Sequence, residues 1–217
     1  MTLRSTLRAL FTGGKGVVRG LTDEGAGPDP FALFDRWYRE AREAGLYLPE
    51  SMALATATAD GQPSVRQVLL KAFDERGFVF YTNFDSRKGE EIAENPRGAL
   101  AVHWPVLQRQ VRINGGVEKT TEEESYAYFS SRPRGSQVGA WASDQSSVLG
   151  GREELERSFR EAQERFSGGD IPLPPFWGGY RVIPETFEFW QGRANRLHDR
   201  LRFTRTGGDW TIDRLYP

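Results

Sequence analysis

Apolar positions first recur at helical spacing near the start of the chain, where Phe31, Phe34, Trp37, Tyr38 and Ala41 form one stripe. Asp29 before Pro30 supplies an N-cap and a first-turn proline, and Gly45 supplies the stop. The pattern then shortens to apolar runs bounded by turn residues. These predict strands over 52–58, 64–73 and 78–83, separated by an Ala-Asp-Gly-Gln-Pro turn and an Asp-Glu-Arg-Gly turn. Ser86 opens a short helix that Pro96 stops, and strands follow over 99–104 and 109–118. Thr121 and Glu124 form a capping box for a helix through Phe129. Helical turns are expected over 133–141 and an amphipathic helix over 151–166. Strands over 180–182, 186–190, 201–205 and 210–215 complete the reading.

Many short strands in a row, with helices interspersed late, predict a mainly β chain: an antiparallel barrel with packed helices. No βαβ alternation and no Gly-x-Gly-x-x-Gly after a strand is present, which disfavours a Rossmann domain. Residues 1–29 read as a flexible N-terminal arm and linker, and 30–217 as one domain. The arm carries Arg4, Arg8, Lys15 and Arg19 with no acid before Asp23, as a targeting peptide does. Gly13, Gly14, Gly16 and Gly20 weaken an amphipathic helix there, so a basic arm is the preferred reading.

Composition narrows the function. Lys plus Arg number 29 against 30 Asp plus Glu, so the chain lacks the basic footprint of a general nucleic-acid binder. It has no cysteine, which excludes disulfides, thiolate catalysis, iron–sulfur clusters and a cysteinyl flavin link. That absence fits a reducing compartment, and a cytoplasmic location is expected. With only His103 and His198, no metal site is expected, and His103 is read as structural. No apolar run reaches the length of a membrane span.

The cations cluster. If 187–202 is extended, alternation sends Arg196, His198 and Arg200 to one face. Such a row suits an anionic aromatic ligand, or else a solvated edge strand guarded by charge. Arg66, Arg87, Lys88 and Ser146 are candidates for one phosphate site, with Arg87 and Lys88 in the first turn of a helix. Lys71, Tyr128, Arg132 and Ser136 are candidates for a second. The last three are spaced by four, on one face if the helix runs through Pro133.

Several separated motifs carry a resemblance. They are Arg-Gln-Val-Leu-Leu-Lys (66–71), Tyr-Thr-Asn-Phe-Asp-Ser-Arg-Lys (81–88), Tyr-Ala-Tyr-Phe-Ser-Ser-Arg-Pro-Arg-Gly-Ser (126–136) and Gly-Ala-Trp-Ala-Ser-Asp-Gln-Ser-Ser (139–147). Phe-Trp-Gly-Gly-Tyr (176–180) and Arg-Leu-His-Asp-Arg (196–200) follow. In this order, from about Pro30 to Pro217, the chain resembles the pyridoxine/pyridoxamine 5′-phosphate oxidases.

The resemblance implies the FMN-binding split-barrel fold, a homodimer with FMN at the subunit interface, and non-covalent FMN. It implies cofactor contacts from Arg66, Gln67, Val68, Leu69, Leu70, Lys71, Tyr81, Thr82, Arg87, Lys88, Gln110, Gln145, Ser146, Trp190 and Arg200. Substrate contacts are implied for Lys71, Tyr128, Arg132, Ser136, Arg196, Leu197 and His198, with Arg196 and His198 at the reacting ring. The implied reaction oxidises pyridoxamine or pyridoxine 5′-phosphate to pyridoxal 5′-phosphate, with O2 as acceptor and H2O2 released. Two alternatives are a related flavin oxidase acting on another substrate, such as a phenazine precursor, and a non-catalytic binder of FMN or pyridoxal phosphate. One departure concerns the arm. Many family members carry an Arg-Arg-Glu-Tyr segment that can fold over the active site; the nearest counterpart here is Arg8-Ala9-Leu10-Phe11, which lacks the tyrosine hydroxyl.

Overall fold

The computed structural model describes residues 20–217 and the single positions 14 and 18. The Arg8 to Phe11 segment and most of the basic arm lie outside the described residues. A one-turn helix α1 (Asp23–Ala26) leads into α2 (Pro30–Glu43), where Asp29 accepts a hydrogen bond from the Phe31 N–H at 2.9 Å. Gly45 follows α2 at φ +65°, a conformation that costs glycine little, and so turns the chain toward the sheet.

Four strands come next: β1 (Ser51–Ala57), β2 (Pro63–Leu69), β3 (Ala72–Asp74) and β4 (Gly77–Asn83). Helix α3 (Arg87–Glu94) separates them from β5 (Arg97–Trp104) and β6 (Arg109–Lys119). A helical lobe follows, α4 (Glu122–Ser131), α5 (Arg134–Ala142) and α6 (Arg152–Arg165). The chain returns to the sheet with β7 (Trp177–Gln191), β8 (Asp199–Thr206) and β9 (Asp209–Arg214). Among the described residues no helix is long and apolar enough to cross a membrane.

All strand pairs are antiparallel, in the order β2-β1-β5-β6-β7-β4-β3. The two ends of that path, β2 and β3, are consecutive in sequence, so one bent strand joins both edges and curls the sheet into a split barrel. The single strand expected over 64–73 breaks at this bend. The Leu70 N–H donates to Glu50 O on the β1 side, and the Lys71 N–H donates to Val79 O on β4. Pairing changes hands there: β2 pairs with β1 up to Leu69, and β3 pairs with β4 from Ala72.

The two strands expected over 180–182 and 186–190 are one. β7 pairs with β6 along one side, while on the other β4 serves Trp177–Val182 and β8 serves Thr186–Gln191. Pro184, which has no N–H to give, sits at this exchange of partners, opposite a register shift at Asn114/Gly115. β8 is flanked by β7 and β9, so it is not the edge strand that its charges suggested.

The barrel interior is filled from α2 and the inward strand faces. Leu33, Phe34 and Ala41 are fully buried against Met52, Leu54, Phe78, Phe187, Phe189 and Phe203. A separate apolar cluster of Phe129, Val138, Ala162, Ile171 and Trp177 ties the helical lobe to the start of β7. Between these two cores the surface dips into a cleft.

Candidate active site

The cleft has a volume of about 630 Å³ and lies beside the barrel's seam. The β2–β3 bend supplies Gln67, Val68, Leu69 and Lys71, β4 supplies Tyr81 and Thr82, and α3 supplies Lys88. The helical lobe closes the other side with Tyr128, Arg132, Ser136 and Gln145. The helix does not run through Pro133: α4 ends at Ser131 and Arg132 is its extended cap, with ψ 149°. Tyr128, Arg132 and Ser136 nevertheless reach the same cleft, because α5 restarts at once.

One wall is aromatic. The rings of Tyr81 and Tyr128 stack with centroids 4.0 Å apart, and Trp177 stacks on Tyr81 at 5.6 Å. Close approach is possible because Gly179 stands beside them, where a Cβ would lie 2.9 Å from the Tyr81 ring and 2.5 Å from Thr120 Oγ1. Burial pushes the Tyr81 phenol pKa up, so it stays protonated. The Arg132 guanidinium lies over Trp177, 4.7 Å from its centroid, and its Nη1 is buried without a hydrogen-bond partner. Burial lowers the Arg132 pKa, yet a guanidinium keeps its charge. A desolvated cation with an unmet N–H is a receptor for an anion.

Lys88 is a second cation withdrawn from water. It is 9% exposed, and its Nζ donates to Gln145 Oε1 at 2.6 Å, Ser86 Oγ at 2.8 Å and Thr82 Oγ1 at 3.0 Å. All three partners are neutral. Burial first, then repulsion from Arg66, lowers its pKa to about 8 against a smaller opposing pull from Glu91. Ser86 spends its hydroxyl on Asn83 O and on Lys88 rather than capping α3, so the amides of that first turn stay open.

Arg66 and Arg87 do not line the cleft; both are bound to Glu91. Glu91 Oε2 accepts from Arg66 Nη2 at 3.1 Å, from Ser64 Oγ at 2.5 Å and from Thr56 Oγ1. Its Oε1 accepts from Arg87 Nε at 2.9 Å. Burial opposes the Glu91 charge, but the hydrogen bonds from Ser64, Thr56, Arg87 and Arg66 outweigh it and hold its pKa at about 2. Leu70 points into the core, and Ser146 stands on an exposed loop at φ +78°.

The remaining candidates form a second group across β6, β7 and β8. Gln110 and Arg200 both stand opposite Trp190 in register. Arg200 donates from Nε to Glu188 Oε1 at 2.9 Å and from Nη1 to Tyr216 O at 2.7 Å, and its bond to Glu188 raises its pKa. Glu188 also pairs with Arg112. The His198 ring centroid is 4.6 Å from that of Trp190. His198 Nδ1 accepts the Arg193 N–H at 3.1 Å, which leaves the proton of the neutral ring on Nε2 as a donor.

Arg196 is not on an extended strand with His198. Residues Ala194–Arg196 form a 3-10 turn in which Asn195 and Arg196 have φ of 59° and 61°. Asparagine tolerates that region, whereas arginine is strained there by roughly 1–3 kcal/mol. Arg196 and Leu197 are both exposed. Asp199 fastens the turn, accepting from Arg193 Nη1, Arg214 Nη1 and the Leu21 N–H. No residue of this second group lines the cleft within one chain.

The motif reading assigned no role to Trp177, Glu91, Glu188 or Asp199. Glu91 had a visible signal, since it stands four residues after Arg87 on a helix. Glu188 becomes visible only with the cross-strand register.

Residues 39–166 match a family model described as pyridoxamine 5′-phosphate oxidase. Residues 177–217 match one described as the pyridoxine 5′-phosphate oxidase C-terminal dimerisation region. The pyridoxine/pyridoxamine 5′-phosphate oxidase of Rubrobacter xylanophilus is 61% identical over 91% of each chain. The protein of that name from Colwellia psychrerythraea is 52% identical over the full length of both. Among solved structures, PhzG from Burkholderia lata, in complex with tetrahydrophenazine-1-carboxylic acid, superposes with a TM-score of 0.85. It is 34% identical over 91% of this chain and 98% of its own. A pyridoxamine 5′-phosphate oxidase-related, FMN binding protein from Nostoc punctiforme has a TM-score of 0.69 at 17% identity, over 88% of this chain and 100% of its own. That likeness bears on the fold alone.

Proposed function

Because the chain belongs to the pyridoxamine 5′-phosphate oxidase family, we propose that it oxidises pyridoxamine and pyridoxine 5′-phosphates to pyridoxal 5′-phosphate, using non-covalent FMN. The observation that carries this is Arg132: a half-buried cation whose Nη1 is buried and unmet, set on Trp177 in one cleft with Lys71, Tyr128 and Ser136. Such a receptor suits a phosphate monoester better than a neutral vitamin.

The residues fit FMN as well. Lys88 is a buried ammonium whose direct partners are all neutral, so an incoming phosphate gains its full charge. Gln67, Val68, Leu69, Lys71, Tyr81, Thr82 and Gln145 would hold the cofactor beside it, with Arg66 and Arg87 as the outer cations. Bound FMN would supply two-electron oxidation of the substrate C4′ position, with O2 as the final acceptor and H2O2 as product. The protein's part is orientation. Arg196 would cover the pyridine ring, His198 would donate its Nε2–H to the ring oxygen, and Arg200 would stabilise negative charge on the reduced flavin.

The β6–β8 group does not line the cleft of its own chain, and residues 177–217 match a dimerisation region. The site is therefore proposed to form in a homodimer, with Gln110, Trp190, Arg196, His198 and Arg200 reaching the partner's cleft. A cytoplasmic location is proposed on the lack of cysteine.

A second reading, an oxidase of a phenazine precursor, rests on the likeness to PhzG. The decisive experiment adds pyridoxamine 5′-phosphate to the FMN-loaded protein and follows H2O2 and pyridoxal 5′-phosphate. Turnover establishes the reading. FMN binding without peroxide from either B6 phosphate overturns it in favour of another substrate or a carrier.

A further inference from the structure

We infer that Glu91 is the positioning residue of the cofactor-phosphate clamp: one buried carboxylate that sets the aim of both Arg66 and Arg87. The inference rests on the proposal that FMN binds at these cations.

Three observations converge on Glu91. It is 3% exposed at the buried face of α3, yet it is shared by two guanidiniums that come from different elements, β2 and α3. Its two oxygens divide the work. Oε2 holds Arg66 within a set completed by Thr56 and Ser64, and Arg66 Nη1 is further fixed by Leu54 O at 3.2 Å and Thr56 Oγ1 at 2.5 Å. Oε1 takes only the Nε of Arg87, at 2.9 Å. The terminal nitrogens of Arg87 make no hydrogen bond among the described residues, and its side chain is 59% exposed. A guanidinium gripped at Nε presents its two-pronged end outward, the geometry that takes two oxygens of one phosphate.

A carboxylate beside a phosphate site repels the ligand, and a long arginine left unheld must be ordered when the ligand arrives. The two effects oppose. Glu91 is hydrogen-bonded at both oxygens and its charge is spread over two cations, so repulsion is muted. Ordering of Arg66 and Arg87 is what remains. Loss of Glu91 therefore weakens FMN rather than tightening it.

The test measures dissociation constants of FMN and of riboflavin for the cofactor-free protein by flavin fluorescence, in wild type, Glu91→Gln and Glu91→Ala. Riboflavin shares the ring and lacks the phosphate. Expected is a loss of roughly ten- to a hundredfold for FMN in Glu91→Ala, with riboflavin unchanged. Glu91→Gln, which keeps one acceptor oxygen, should lie between. A general structural defect would weaken both ligands alike, and that result overturns the inference, as does unchanged or tighter FMN binding in either variant. Should Glu91→Ala not fold, Glu91→Gln decides by the same ratio. Wild-type protein that binds FMN no better than riboflavin would instead overturn the cofactor reading beneath.

Discussion

FMN affinity should fall steeply above pH 8, because Lys88 loses its proton there. Burial holds the pKa of this ammonium at about 8, against an ordinary 10.5, and its hydrogen-bond partners are the neutral Thr82, Ser86 and Gln145. A bound phosphate favours the charged form and returns the pKa toward or above 10.5. Binding then takes up a proton whenever the free lysine is neutral. By linkage, the affinity falls about tenfold between pH 7 and 9, and about thirtyfold by pH 9.5. The phosphate adds no slope of its own, since its second ionisation, near ~6, is complete by pH 7. Titration of the flavin ring cancels when FMN is compared with riboflavin. The assay is thus the ratio of the two dissociation constants from pH 7 to 9.5. Lys88→Arg should flatten the ratio at high affinity, since arginine stays charged, and Lys88→Met should flatten it at low affinity. Stability of the cofactor-free protein should move the opposite way. The unfolded chain binds more protons than the folded one between pH 8 and 10.5, so raising pH through that window favours the fold. A wild-type ratio that stays flat to pH 9.5 would refute the reasoning, for Lys88 would then be either far from the phosphate or never depressed.

Arg132→Ala removes one charged hydrogen bond from the proposed substrate-phosphate site, so kcat/KM for pyridoxamine 5′-phosphate should drop roughly ten- to a hundredfold. Free pyridoxamine should lose far less, and an unchanged preference between the two would return Arg132 to a purely structural role on Trp177. Arg196→Ala should lower kcat/KM more than FMN affinity, and His198→Asn should do so more weakly; flavin loss with normal turnover per bound flavin would reverse the roles of Arg196 and Arg200. Phe34→Ala, at a fully buried position between α2 and the sheet, should cost about 3–5 kcal/mol in urea unfolding, and a loss below 1 kcal/mol would mean that the barrel interior is not the stabilising core.

Much of the fold was legible because local signals were strong. The Asp29-Pro30 start and the Thr121/Glu124 capping box both form as expected, and the capping box carries both reciprocal bonds. What local pattern does not carry is partner choice. The bend at Leu70–Lys71 and the length of β7 depend on which edge each amide meets, a property of residues distant in sequence. The site divides the same way. Lys71, Lys88, Tyr128, Arg132 and Ser136 do share a cleft, although the helix on which spacing by four depends ends before Pro133. The row of Arg196, His198 and Arg200 assumed alternation, and two left-handed residues in succession break it.

The exchange of partners along β7 also sets an order of events in synthesis. β4 finds its main-sheet neighbour only in Trp177–Val182, and the cleft needs Trp177 beside Tyr81. At about 5–20 residues per second, the ribosome delivers Trp177 roughly 5–20 s after Asn83. In that interval β1, β2, β5 and β6 already have one another, while the β3–β4 hairpin waits with an unpaired apolar edge. The cleft is therefore a late product of translation, because its Tyr81 wall lacks Trp177 until β7 has been made.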